Sequence, residues 1–293
     1  MTLNIGDVYA LLAAICWSSG VILFEISGRT LNSIQINFLK NIIGLIGFII
    51  VLLFTGSLCI SYTSHEYWLL GFSALLGVAL GDVFLLAGLK RLGSGMYAIA
   101  GTTYTLFVFL FAFLMFQEAI ALQVYIGGVL VISGIIVRSS TDVRSNRNNQ
   151  FYKGIIYVLL AQGLTAYSVL LVRPVMETHP VIHIAMIRFG IGVLFNIAHI
   201  LLLNGIKSFM ETIKIGFTNP AMIVGSFLGT FLAVIFWMSG FKYTLASRAA
   251  IYNQLSTIFI TLLAAIFLKE RMNVKSWIAV GLAVVGAILV STS

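Results

Sequence analysis

Apolar residues in this chain come in runs of about 20, the length an α-helix needs to cross about 30 Å of hydrocarbon. Polar connections between the runs are short. Spanning helices are expected at about 8 to 28, 36 to 56, 67 to 89, 95 to 115, 121 to 138, 153 to 172, 181 to 203, 219 to 242, 247 to 268 and 275 to 291. The fold class is therefore all-α and integral to the membrane, with ten transmembrane helices. The first run follows Asp7 with no basic segment before it and no small-residue cleavage pattern after it, so it reads as a retained helix.

One polar stretch, Ser139 to Gln150, is rich in Arg, Asn, Ser and Asp and falls midway along the chain. It divides the sequence into a first five-helix repeat over 1–138, a linker over 139–152 and a second repeat over 153–293. The halves align. An offset of 148 sets Gly6, Tyr9, Leu12 and Ala13 on Gly154, Tyr157, Leu160 and Ala161, and Lys40 on Arg188. After a four-residue length change, an offset of 152 pairs Gly77 with Gly229, Gly88 with Gly240, Lys90 with Lys242, Glu118 with Glu270 and Gly134 with Gly286. Five is odd, so the second half enters the membrane from the face opposite the first. Inverted-topology repeats of this kind share a site near the midplane, on a pseudo-two-fold axis.

Composition agrees: 60% of residues are hydrophobic, only 9% are charged, and the mean hydropathy is +1.07. No soluble catalytic domain remains to be placed. Of the 17 basic residues, twelve fall on the linker side (Arg29, Lys90, Arg91, Arg138, Arg144, Arg147, Lys153, Lys207, Lys214, Lys269, Arg271 and Lys275) and three on the other (Arg173, Lys242 and Arg248). The positive-inside rule then puts the linker in the cytoplasm and both termini outside, in a multi-pass protein of the cell inner membrane. The net charge of +8 is mostly loop charge facing anionic membrane lipids and is no nucleic-acid footprint.

Cys16 and Cys59 show neither metal-ligand nor redox spacing. His179 and His183, four apart beside Glu177, read as an interfacial loop and not as a metal site, and His199 reads as a packing residue. There is no Walker-type phosphate loop, so no cofactor is implied and energy has to come from an ion gradient or the substrate's own gradient.

The segment AMIRFGIGVL, ending at Leu194, and the stretch YNQLSTIFITLLAAIFLKERM from Tyr252 resemble the drug/metabolite transporter superfamily, in particular its EamA-type ten-helix branch. The resemblance covers the whole chain. It is carried by a basic residue early in the second helix of each half (Lys40, Arg188), by small-residue turns before the fourth helices (Leu92 to Ala98, Leu245 to Ala250), and by an acid closing those helices (Glu118, Glu270). Two departures stand out: the proline common within the fourth helix is absent from Thr102 to Leu106 and from Gln254 to Ile258, and Lys40 stands where arginine is usual. The resemblance implies transport of small metabolites, with amino-acid and metabolite export frequent among relatives.

On this reading the partner is a small-molecule substrate, polar and either amino-acid-like or an organic anion, and the protein works by alternating access as a monomer or homodimer. An integral-membrane enzyme would need clustered acids or histidines near one interface; a scaffold or sensor would tolerate loss of the buried charges. No catalytic residue and no metal ligand is assigned. The substrate-binding candidates are Trp17, Ser19, Lys40, Tyr97, Tyr104, Tyr167, Arg188, Trp237, Tyr252 and Asn253, a set of polar and aromatic groups on the first, second, fourth and eighth spans and their repeat mates. Gln162, Thr165 and Gln254 belong to the same clusters. Lys40 has an alternative partner in Glu25 at similar depth. Asp82, whose repeat mate is the apolar Val234, is either a proton-coupling group or a structural partner of Lys40 or of neighbouring helices.

Overall fold

The computed structural model describes residues 4–56, 60–116, 122–139, 149–244, 246–270 and 272–291, and these form helices and short turns. Glu118, Cys59, Arg144, Arg147, Arg271 and the middle of the linker lie outside the described residues. In chain order the helices are α1 (Ile5–Ser27), α2 (Ser33–Thr55), α3 (Ser64–Leu92), α4 (Ser94–Gly101 and Thr103–Phe116), α5 (Leu122–Ser139), α6 (Asn149–Thr178), α7 (Val181–Thr218), α8 (Pro220–Tyr243), α9 (Ala246–Phe267) and α10 (Val274–Ser291). Seven have the length and composition of a membrane span, and α5, α9 and α10 contain the shorter apolar segments Tyr125–Arg138, Tyr252–Phe267 and Val274–Leu289. A helix lies at the place of each expected span.

Helix starts are set by polar caps that hydropathy does not register. Asn4 with Asp7, Asn32 with Gln35, and Thr63 with Glu66 each form a reciprocal capping box. Each helix therefore begins ahead of its apolar run. Past Gly56, whose φ of 65° closes α2, the chain reaches Tyr62, whose hydroxyl lies 2.9 Å from His183 Nδ1 and whose ring stacks on His179 at 4.3 Å. Burial, with Glu66 and Tyr67 nearby, pushes the Tyr62 hydroxyl above its ordinary range, so it stays protonated. His199 packs against Phe195.

The halves interlock. Helix α1 crosses α8 where Gly20 meets Gly229, so that a Cβ on Gly20 would sit 2.4 Å from the Gly229 Cα; Gly240 faces Ala10 and Gly6 faces Thr244 at the same seam. The seam is built a second time between α6 and α3, with Ser168 on Gly77, Val158 on Gly88 and Leu92 on Gly154. These are the offsets of 148 and 152 found in the sequence. Small residues let backbones approach where lipid leaves no hydrophobic force between spans. Helices α5 and α10 pair through Gly134 and Gly286.

Two features depart from the sequence reading. Gly205 adopts φ 75° and ψ 172°, and beyond it residues 206–218 form a further helical arm where a connection is expected. The arm lies on α2: Phe209 packs on Phe38, Thr212 accepts a hydrogen bond from Gln35 Nε2 at 2.8 Å, and Gly216 abuts Leu39. Helix α4 breaks at Thr102 although it has no proline. The Thr102 and Thr103 hydroxyls return to the carbonyls of Ile99 and Ala100, both at 2.7 Å, competing with the helical ladder there.

Helices α3 and α8 each contain a π-helical stretch, Ala74–Gly81 and Phe227–Leu232, at matching places in the two repeats. Buried Asn37 donates to the carbonyls of Val78 and Ala79 at 3.0 and 3.2 Å, supplying a partner where the widened ladder is weakest.

Candidate functional site

Both π-helical stretches border a central cavity of about 200 Å³. Eight helices line it; α5 and α10 stand outside. Its wall is made of repeat mates: Trp17 and Thr165, Lys40 and Arg188, Gly77 and Gly229, Asp82 and Val234, Leu85 and Trp237, Tyr104 and Ser256. The cavity therefore sits on the axis relating the halves, as inverted repeats dictate.

Lys40 and Arg188 lie one to two turns inside α2 and α7, with 3% and 4% of their surface exposed. Lys40 Nζ donates to Asp82 Oδ2 at 2.6 Å and to Asn41 Oδ1 at 2.8 Å, and stands 5.5 Å from the Phe189 ring centre. Asn41 is held in turn by Asn37. Glu25, the alternative partner for Lys40, is engaged elsewhere: its Oε2 accepts from the Ser94 backbone N–H at 2.6 Å and from the Ser94 hydroxyl. Arg188 has no acid. Its Nη2 donates to Ser168 Oγ at 2.7 Å, while Nε has no protein partner.

That orphan has company. Tyr104 Oη, Thr165 Oγ1, Thr230 Oγ1 and Asn253 Nδ2 are likewise buried without a hydrogen-bond partner, and all four residues line the cavity. An unsatisfied buried polar atom costs about 1–3 kcal/mol, and five of them gather around this one hollow. Deeper contacts are satisfied: Gln254 Nε2 donates to Thr105 Oγ1 at 2.6 Å, and Ser18 Oγ to the Ser256 carbonyl at 3.3 Å.

Of the candidates read from sequence, Trp17, Lys40, Asp82, Tyr97, Tyr104, Arg188, Trp237 and Asn253 line the cavity, as do Gln162, Thr165 and Gln254. Ser19, Tyr167 and Tyr252 are outside its wall. Ser19 is two residues, or 200° of helix, beyond Trp17, and its hydroxyl folds back to the Ile15 carbonyl at 3.1 Å. Tyr167 packs edge-on against Phe111, and Tyr252 sits one residue off the face that carries Asn253 and Thr257. Phe189, Thr230 and Ser256 are wall residues the sequence reading missed; carrying Tyr104 through the offset of 152 points to Ser256.

Glu270 holds a helix N-terminus, but that of α4 and not of the following α10: its Oε2 accepts from the Gly95 N–H at 3.1 Å, while Asn273 caps α10. Two carboxylates, Glu25 near the end of α1 and Glu270 in the connection between α9 and α10, thus cap α4 on the linker side, where Gly93 has no side chain to do so. Among the described residues, no group of three or more potential metal ligands gathers.

Comparison with known proteins bears on what this cavity is for. The family model described as "EamA-like transporter family" matches twice, over residues 4–140 and 152–292. An uncharacterized transporter from Archaeoglobus fulgidus is 23% identical over 269 residues, 91% of this chain and 90% of that protein. A crystal structure superimposes over 98% of this chain and 96% of its own with a TM-score of 0.70 and 17% identity, which is a likeness of fold. With the family model matching across both halves, this chain belongs to the EamA-like transporter family.

Proposed function

We propose that the protein is a secondary transporter that moves a small polar metabolite, amino-acid-like or an organic anion, through the central cavity by alternating access, in the direction of export. The observation that carries this reading is the set of five buried polar atoms without protein partners around one cavity, Arg188 Nε among them. A cation in a span is expensive and is retained where it faces a pathway. Repeat-related walls offer a second arrangement of similar energy, because each seam on one side of the axis has a copy on the other.

In this reading the protein sits in the inner membrane with the linker in the cytoplasm, since the basic residues concentrate on the linker side. The Glu25 and Glu270 caps on α4 then close the cytoplasmic face. Asp82, tied to Lys40 at 2.6 Å, serves as the counter-charge of that lysine in place of an independent proton carrier. Flux of a candidate metabolite into proteoliposomes tests the reading. It is expected in the native protein and lost in Arg188→Ala at equal reconstitution; unchanged flux in the variant removes Arg188 from the pathway.

A further inference from the structure

Three ionised side chains stand on the described cavity wall: Lys40, Asp82 and Arg188. They are unequally matched. The Lys40 ammonium is closed on the Asp82 carboxylate at 2.6 Å, with 4% and 18% of those side chains exposed, so the pair is electrically neutral. Arg188 donates to the Ser168 hydroxyl, keeps an idle Nε, and shares Asp82 only at long range, since that carboxylate is already closed on Lys40. Repeat symmetry calls for a second acid beside it, and that position is Val234, also on the wall. The site therefore carries one net positive charge where an acid at position 234 would leave none.

We propose that this single uncompensated charge sets the valence of the cargo: the cavity selects monoanionic carboxylates whose remainder is uncharged, and Asp82 is the residue that excludes dianions. The inference rests on the carrier reading above and narrows it. A planar guanidinium with Nε and an Nη edge free of other acids receives a carboxylate through two parallel hydrogen bonds. Bound this way, a monoanion brings the site to zero charge, whereas a dianion leaves one negative charge, and a zwitterion or neutral amide leaves one positive charge. A charge left uncompensated once the ligand fills the cavity is disfavoured by roughly tenfold or more in affinity, since desolvating one ion costs several kcal/mol. The rings of Trp17, Tyr97, Phe189 and Trp237 on the same wall suit an uncharged remainder.

The test uses size-matched compounds at pH 7.5 against the purified full-length protein: butyrate, 4-aminobutyrate, succinate and butyramide, and an aryl set of 3-phenylpropionate, phenylalanine, phenylsuccinate and 3-phenylpropionamide. Thermal stabilisation ranks binding, and competition for counterflow in proteoliposomes ranks recognition during transport. The native protein is expected to prefer the monoanion in each set by at least about tenfold. Asp82→Asn, with two net positive charges, is expected to move the preference to the dianion. Adding Lys40→Met to Asp82→Asn restores one net charge and is expected to restore the monoanion. Should Asp82→Asn not fold, Arg188→Gln, with no net charge, is expected to move preference to the amide or zwitterion. An unchanged order in these variants, or equal recognition of monoanion and dianion by the native protein, overturns the valence inference and leaves the carrier reading standing. No response to any compound in the native protein and all variants overturns the carrier reading itself.

Discussion

Arg188→Met separates a residue kept for function from one kept for structure, because the two predict opposite signs of stability. In the native protein the guanidinium is 4% exposed, makes one side-chain hydrogen bond and has no acid at ion-pair distance among the described residues. Methionine loses that charge-assisted bond, about 1.5–3 kcal/mol, but also removes a desolvation penalty of several kcal/mol for an unpaired ion. Ser168 is not orphaned, since its hydroxyl still donates to the Ser73 carbonyl at 3.0 Å. The balance runs from neutral to about 3 kcal/mol of added stability, with transport abolished. Thermal unfolding of native and variant protein in one detergent, alongside flux in proteoliposomes, reads both quantities. A variant destabilised by about 3–5 kcal/mol, the cost of breaking a buried pair, that still carries substrate refutes the reasoning.

Lys40→Met leaves the Asp82 carboxylate without its cation and is expected to destabilise by about 3–5 kcal/mol, most of it recovered when Asp82→Leu is added; additive losses in a double-mutant cycle contradict the pairing. Gly229→Leu forces a side chain into the α1·α8 seam, where even a Cβ lies 2.7 Å from Gly20 Cα, and should cost about 1–3 kcal/mol or more; Gly190→Ala, whose Cβ meets nothing within 4 Å, should melt like the native protein. Glu25→Ala removes a cap from α4 and should cost about 1–2 kcal/mol while speeding amide exchange at Ser94; unchanged exchange there shows that the cap is dispensable.

Much of the architecture was legible because the membrane imposes it. Run length located the spans, and the offsets of 148 and 152 that align glycines in the sequence are the offsets at which α1·α8 and α3·α6 repeat one seam. The arm over 206–218 escaped because it is too polar to read as a span, and Gly205 marks only a break. Its apolar face is short and spent on Phe38 and Leu39. Depth was easier to read than direction. Lys40, Arg188 and Asp82 stand out in the sequence because an ion in a span needs a reason, whereas Ser19, Tyr167 and Tyr252 fall outside the cavity wall because hydropathy carries little phase when every face of a helix is apolar. The choice of Asp82 over Glu25 by Lys40 is a tertiary matter. The widened ladders of Ala74–Gly81 and Phe227–Leu232 leave no mark in composition, and Asn37 reaches across to the first of them alone.

The central claim is that one chamber on the axis is open to each side of the membrane in turn. A single cysteine at Thr165, a wall residue with an unpartnered hydroxyl, in a background with Cys16 and Cys59 replaced by serine, tests it most directly. In protein reconstituted with known orientation, a membrane-impermeant thiol reagent applied to either face in separate experiments is expected to label this position, and a transported monoanion should slow both reactions. Labelling from one face alone, or from neither, contradicts the account.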